Sequence, residues 1–119
     1  MPPGAPIAKL CVLPSLIGRT VKTWTRLAEV RSAPWRAAVQ TTGIGWLSLD
    51  AAAEDTAAIF NELRSAIESE GGALVMLRAP AGAMDCWGTP GDTLPLMRAL
   101  KQQFDPKGTL NPGRYVGGI

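Results

Sequence analysis

The stretch Trp35-Arg36-Ala37-Ala38-Val39-Gln40-Thr41-Thr42-Gly43-Ile44-Gly45-Trp46-Leu47-Ser48-Leu49 decides the fold. Trp35, Ala37, Val39 and Thr41 alternate with Arg36, Ala38 and Gln40, which is the period of a strand. Thr42-Gly43 interrupts the alternation as a turn, and residues 44–49 read as the returning strand, so the stretch is a β-hairpin. Gly43 and Gly45 flank Ile44 as a G-x-G, but no third glycine and no helix follow. A hairpin turn with a close backbone approach accounts for the pair better than a dinucleotide fingerprint.

Working outward from the hairpin, each side carries a helix and then a strand. Upstream, Ile17, Val21, Trp24 and Ala28 recur at helical spacing and predict a helix over 16–28, with Ser15 as N-cap, Trp24 in the core and an exit loop over 29–33. Before it, residues 7–13 form a short apolar run. Ala8, Leu10 and Val12 share one face, Lys9 and Cys11 the other, and Cys11 is read as a small buried hydrophobe. Downstream, Asp50 is the expected N-cap of a helix running to about Glu70, with Ile59, Phe60, Leu63, Ala66 and Ile67 inward. Glu54, Asn61, Arg64 and Glu68 are expected outward, the last two as a surface i,i+4 pair. Gly71-Gly72 ends that helix, and residues 73–78 form an apolar strand expected to be buried on both faces. Residues 79–92 read as a Pro/Gly-rich loop with one turn of helix at most, and a further helix spans 93–104 with Leu94, Met97, Leu100 and Phe104 on one side.

The order βαββαβ followed by a helix and a tail is that of an α+β, ferredoxin-like sandwich: an antiparallel sheet with helices on one face. The first and last strands are expected to be central, and the uncovered sheet face is a candidate docking surface, including for a homodimer. Domain organisation follows as a lead-in or cut linker (1–6), a ferredoxin-like domain (7–104) and an ordered C-terminal tail (105–119).

Composition narrows the chemistry. The 119 residues suffice for one modest core, and 46% hydrophobic content argues against disorder. A net charge of +2, with basic residues dispersed, predicts no nucleic-acid surface. An RNA role would also need aromatics on the central strands, and the first and last strands have none. No apolar run is long enough for a transmembrane segment, and the N-terminus lacks the layout of a signal peptide. Two cysteines far apart and no histidine leave no metal-ligand pattern and remove the commonest general base.

The closing run Phe104-Asp105-Pro106-Lys107-Gly108-Thr109-Leu110-Asn111-Pro112-Gly113-Arg114 packs two Pro, two Gly, an Asp and an Asn into eleven residues. Pro106 ends the helix near Phe104, Gly108 suits a positive φ, and Asn111-Pro112-Gly113 reads as a second turn. On local physics alone the run is equally a well-specified tail without chemistry. This run, preceded by Lys101, resembles the C-terminal signature of FAD-linked oxidases of the vanillyl-alcohol oxidase type. With Trp87-Gly88 and the ending Gly117-Gly118-Ile119 it looks most like the E-type subunits of bacterial glycolate oxidase.

The resemblance implies an FAD-dependent 2-hydroxy-acid oxidase whose N-terminal FAD-binding domain is missing from this chain. The cap domain would cover the flavin and shape the substrate pocket. Asn111 and Arg114 would contact the flavin or the domain interface, and Trp87 would lie near that interface. Implied partners are the missing FAD-binding domain and the flavin D-type and iron–sulfur subunits. The implied location is the cytoplasm, free or peripheral at the inner membrane in a complex. Family histidines that serve substrate or metal have no counterpart here. The chain alone is therefore expected to have no catalytic residue, no metal and no retained FAD. The alternative is a stand-alone ferredoxin-like binding or dimerisation module without catalysis.

Overall fold

The computed structural model describes residues 4–80 and 84–119. The chain forms two compact units, Met1–Cys86 and Trp87–Ile119. In the first, β1 (Ile7–Cys11), α1 (Ile17–Val30), β2 (Trp35–Val39), β3 (Ile44–Leu49), α2 (Ala53–Ser69) and β4 (Ala73–Arg78) build the expected βαββαβ order. The sheet is antiparallel throughout, in the order β2-β3-β1-β4. The fold is thus the α+β, ferredoxin-like arrangement. The central pair differs from the expected one: β1 and β3 are central, and β4 lies at an edge. β3 brings Trp46 to the open face directly opposite Lys9, so the central strands carry one aromatic where none was expected.

The core lies between the helices and one sheet face. Ala8, Leu10 and Val12 of the β1 segment, Leu47 and Leu49 of β3, and Leu74 and Met76 of β4 meet Trp24, Leu27 and Ala28 of α1 and Ile59, Phe60, Leu63 and Ile67 of α2. Burying a side chain the size of Leu or Phe contributes roughly 1.5–3 kcal/mol, so this single layer supplies most of the driving force for the unit. Trp24 is 2% exposed and stacks edge-on against Trp35 at 5.8 Å between ring centroids. Its Nε1 has no hydrogen-bond partner among the described residues.

The hairpin's two glycines are structural. Gly43 has φ +89°, and a Cβ there would lie 1.9 Å from the Val12 carbonyl oxygen. At Gly45 a Cβ would press on Val39 and Leu10. The G-x-G is a turn and a close approach of β3 to its neighbours.

Several local expectations are corrected. α1 is preceded by a 3-10 turn (Pro14–Leu16), and neither α1 nor α2 has a side-chain N-cap. Asp50 is too early to cap α2, because its N–H still donates to the Pro34 carbonyl (2.8 Å) and holds it in the extended sheet. Cys11 is exposed, on the same face as Lys9, as strand alternation requires. β4 is buried on one face only: Leu74 and Met76 point inward, whereas Leu77 is 58% exposed. The register between β1 and β4 also slips there, from Ile7↔Arg78 to Ala8↔Met76.

Arg64 departs most from expectation. It is 7% exposed, and its Nε donates to the Leu74 carbonyl (3.2 Å) and its Nη2 to the Cys86 carbonyl (3.3 Å). Residues 1–3 of the expected lead-in and 81–83 of the expected loop lie outside the described residues. Ala5 and Pro6 are tied to the sheet through Arg78 Nη1 (3.3 Å) and Ser48 Oγ (2.8 Å), which donate to their carbonyls.

The second unit contains α3 (Leu94–Phe104) and the tail. Leu94 and Met97 are half-buried, but Leu100 and Phe104 at the other end of the same stripe are exposed. A short 3-10 turn, Val116–Gly118, closes the chain against the start of α3. Arg98 Nη2 donates to the Gly117 carbonyl (3.2 Å), and Gly117, at φ +68°, leaves no room for a Cβ beside Leu94.

Candidate functional site

The tail's path is set by one carboxylate. Pro106 forces Asp105 out of helical geometry (φ −138°, ψ 63°), although its N–H still completes the helix by donating to Lys101 O. The Asp105 side chain turns back over the loop that follows. Its Oδ1 accepts from Thr109 N (2.9 Å) and Thr109 Oγ1 (3.0 Å), and its Oδ2 from Leu110 N (2.9 Å). Oδ2 also pairs with Lys101 Nζ at 2.6 Å. Lys101 in turn donates to the Leu110 carbonyl. Four donors on one buried carboxylate hold its ionised form, so its pKa lies well below the ordinary value of 3.8. The Lys101 ammonium is the largest cause, followed by the Leu110 and Thr109 N–H groups, and partial desolvation opposes them.

Gly108 takes the expected positive φ (+62°), as do Asn111 (+45°) and Gly113 (+70°) in the second turn. The Arg114 N–H donates to the Asn111 carbonyl at 3.3 Å and closes that turn. Beyond it, Trp87 Nε1 donates to the Arg114 carbonyl (3.1 Å), and the Trp87 ring meets Tyr115 edge-on at 4.7 Å. Trp87 therefore anchors the tail within its own unit.

Asn111 and Arg114 end up on the rim of one open depression of about 530 Å³, together with Lys101, Leu110, Tyr115 and Ile119. Both residues are exposed. Among the described residues neither the Asn111 amide nor the Arg114 guanidinium has a hydrogen bond or ion pair. The backbone is thus fixed while these two polar heads remain available. An amide offers both donors and an acceptor, and a guanidinium offers a planar fork suited to a carboxylate or phosphate. Leu110 and Tyr115 add exposed apolar surface beside them.

The sequence reading picked out Asn111 and Arg114, and the structure brings them together. It missed Asp105, which shapes the site without facing it. The signal was an Asp before a Pro with Thr four residues on, the arrangement in which a carboxylate can accept from the backbone it precedes. Among the described residues no cluster of three His, Cys, Asp or Glu side chains could hold a metal. No helix among them is long and apolar enough to cross a membrane.

Comparison with known proteins bears on this same segment. Residues 89–115 match the family described as FAD linked oxidases, C-terminal domain. The match begins shortly after Trp87, takes in all of α3 and the Asp105 loop, and ends one residue past Arg114. It supports reading this segment as part of the C-terminal domain of an FAD-linked oxidase. No curated protein and no solved structure matches the chain.

Proposed function

We propose that the chain is the C-terminal cap segment of an FAD-dependent 2-hydroxy-acid oxidase of the glycolate oxidase E type, inactive without its FAD-binding domain. The observation that carries this reading is the coincidence of the matched segment with the depression rimmed by Asn111 and Arg114. FAD, when bound, supplies the oxidising group that accepts a hydride from the 2-hydroxy acid. This chain's part is to position and enclose. Asn111 and Arg114 meet the flavin or the FAD-binding domain, and Leu110, Tyr115, Leu100 and Phe104 provide the apolar area of that contact. The unpartnered state of both polar heads is compatible with such a role, and the chain's lack of a phosphate-binding Gly-rich loop leaves the pyrophosphate to the other domain. The D-type flavin and iron–sulfur subunits are further partners under this reading, in a cytoplasmic or inner-membrane-associated complex.

Co-expression with the FAD-binding domain of an E-type subunit tests the proposal. The two pieces are expected to co-purify with flavin, while the chain alone shows no flavin absorbance. Arg114→Ala is expected to weaken retention about tenfold, as for loss of a charge-assisted hydrogen bond. Stoichiometric FAD on the chain alone, or no association between the pieces, overturns it.

A second reading, a stand-alone ferredoxin-like module, is favoured by one observation: the family match stops short of the first unit, whose core is complete in itself. The length of the native reading frame separates the two.

A further inference from the structure

The two edges of the sheet are treated differently. Along β4 two of the outward-facing backbone groups are occupied. The Leu74 carbonyl accepts from Arg64 Nε, and the Met76 N–H donates to the Cys86 carbonyl at 2.8 Å. Arg64 Nη2 donates to that same Cys86 carbonyl, so a buried guanidinium and a returning segment close this edge. Among the described residues nothing comparable guards β2. The bonds from Asp50 N to Pro34 O and from Gln40 N to Ile44 O show that even-numbered residues here face β3. The N–H and C=O groups of Trp35, Ala37 and Val39 therefore point outward. Among the described residues none of them meets a donor or acceptor. The strand is regular, with an unbroken register against β3, contains no proline, and carries one charge. These are the features by which a sheet edge invites another strand.

The sequence of β2 also fits itself. Antiparallel pairing of two copies about Ala37 sets Ala37 against Ala37, Trp35 against Val39 and Arg36 against Ala38. It satisfies all the outward groups with about six backbone hydrogen bonds. Trp35 against Val39 is an aromatic–β-branched pair, which stabilises sheets, and symmetry supplies it twice. Each Arg36 faces an alanine instead of another charge. A face-to-face dimer across the open sheet would instead place Lys9 and Arg36 of both copies in one layer.

We infer that the unguarded β2 edge is an interface for a second copy of this chain, pairing β2 with β2 antiparallel about Ala37 to give one continuous sheet. Five-residue pairing is a small interface, so the dimer is weak and concentration-dependent.

A cysteine scan in a Cys11→Ser/Cys86→Ser background tests both interface and register. The Ala37 Cα atoms of a hydrogen-bonded pair lie about 5.5 Å apart, within disulfide reach. Two Val39 positions would be about 13 Å apart along the strands, beyond it. Ala37→Cys is expected to give at least about tenfold more covalent dimer than Val39→Cys under mild oxidation. Sedimentation of the unaltered chain is expected to show a concentration-dependent dimer. Ala37→Pro, which removes only an outward N–H, should abolish it with an unchanged circular dichroism spectrum. A monomer at all concentrations, or equal cross-linking at positions 37 and 39, overturns the inference.

Discussion

Asp105 organises its surroundings through geometry that ionisation maintains. Its folded pKa is depressed, so its contribution to stability is complete above the unfolded value near 3.8 and is lost as the pH falls below that value. The amide resonances of Thr109 and Leu110, which donate to this carboxylate, are expected to titrate with a midpoint below 3.8. Asp105→Asn should speed hydrogen exchange at both amides at neutral pH, because it discards the Lys101 ion pair and half the acceptor capacity. Unchanged exchange would show that the loop holds without the carboxylate. Gly43 is the opposite kind of residue, defined by what it lacks. Gly43→Ala should cost about 3 kcal/mol in urea melts, since a methyl group at φ +89° would meet the Val12 carbonyl. A loss under about 1 kcal/mol would mean the hairpin and β1 move apart easily.

Among the elements, the hairpin and β4 were legible because strand alternation and glycine punctuation agree there. Ile44–Leu49 and Ala73–Arg78 coincide with the runs read from sequence. α2 was legible as a helix but not in its use of Arg64. Positions 60, 63, 64 and 67 already form the i, i+3, i+4, i+7 series of a buried stripe, and only the charge suggested otherwise. A long side chain can lie along an apolar surface and still deliver its head to stranded carbonyls. Arg64→Ala is expected to destabilise the first unit by about 2–3 kcal/mol, because the Leu74 carbonyl loses its donor and the Cys86 carbonyl keeps only the Met76 N–H. Arg64→Lys should recover only part of that, since an ammonium cannot reproduce the fork. Full stability of the alanine variant in urea would remove Arg64 from the edge closure. Cys11 repeats the lesson at smaller scale: the alternation that put Ala8 and Leu10 inward already put it outward.

At the scale of the whole molecule, the sequence carries two kinds of information. The first unit is specified by periodicity, which fixes strands, helices and core but not the order of strands across the sheet. That order depends on which edges pair, a long-range property invisible in local spacing, and it is why β4 was expected at the centre. The second unit is specified by individual turn residues, and its resemblance to a known signature made Asn111 and Arg114 stand out. What that signature did not single out was the carboxylate shaping their loop, although the Asp105-Pro106 pair with Thr109 four residues on carries its local signal.

The closure of β4 also has a meaning in time. As the chain leaves the ribosome, Arg64 and β4 emerge before Cys86, so for that interval Arg64 can cap the Leu74 carbonyl but the Met76 N–H has no partner, and the half-closed edge is able to capture a neighbouring nascent chain. Only when residue 86 arrives does its carbonyl complete the seal. A fragment ending at residue 80 would keep the core residues from Ala8 to Met76 and remain permanently in that vulnerable interval. Aggregation of such a fragment, where one ending at residue 86 stays dispersed, would identify the segment before Trp87 as a guard for a freshly made sheet.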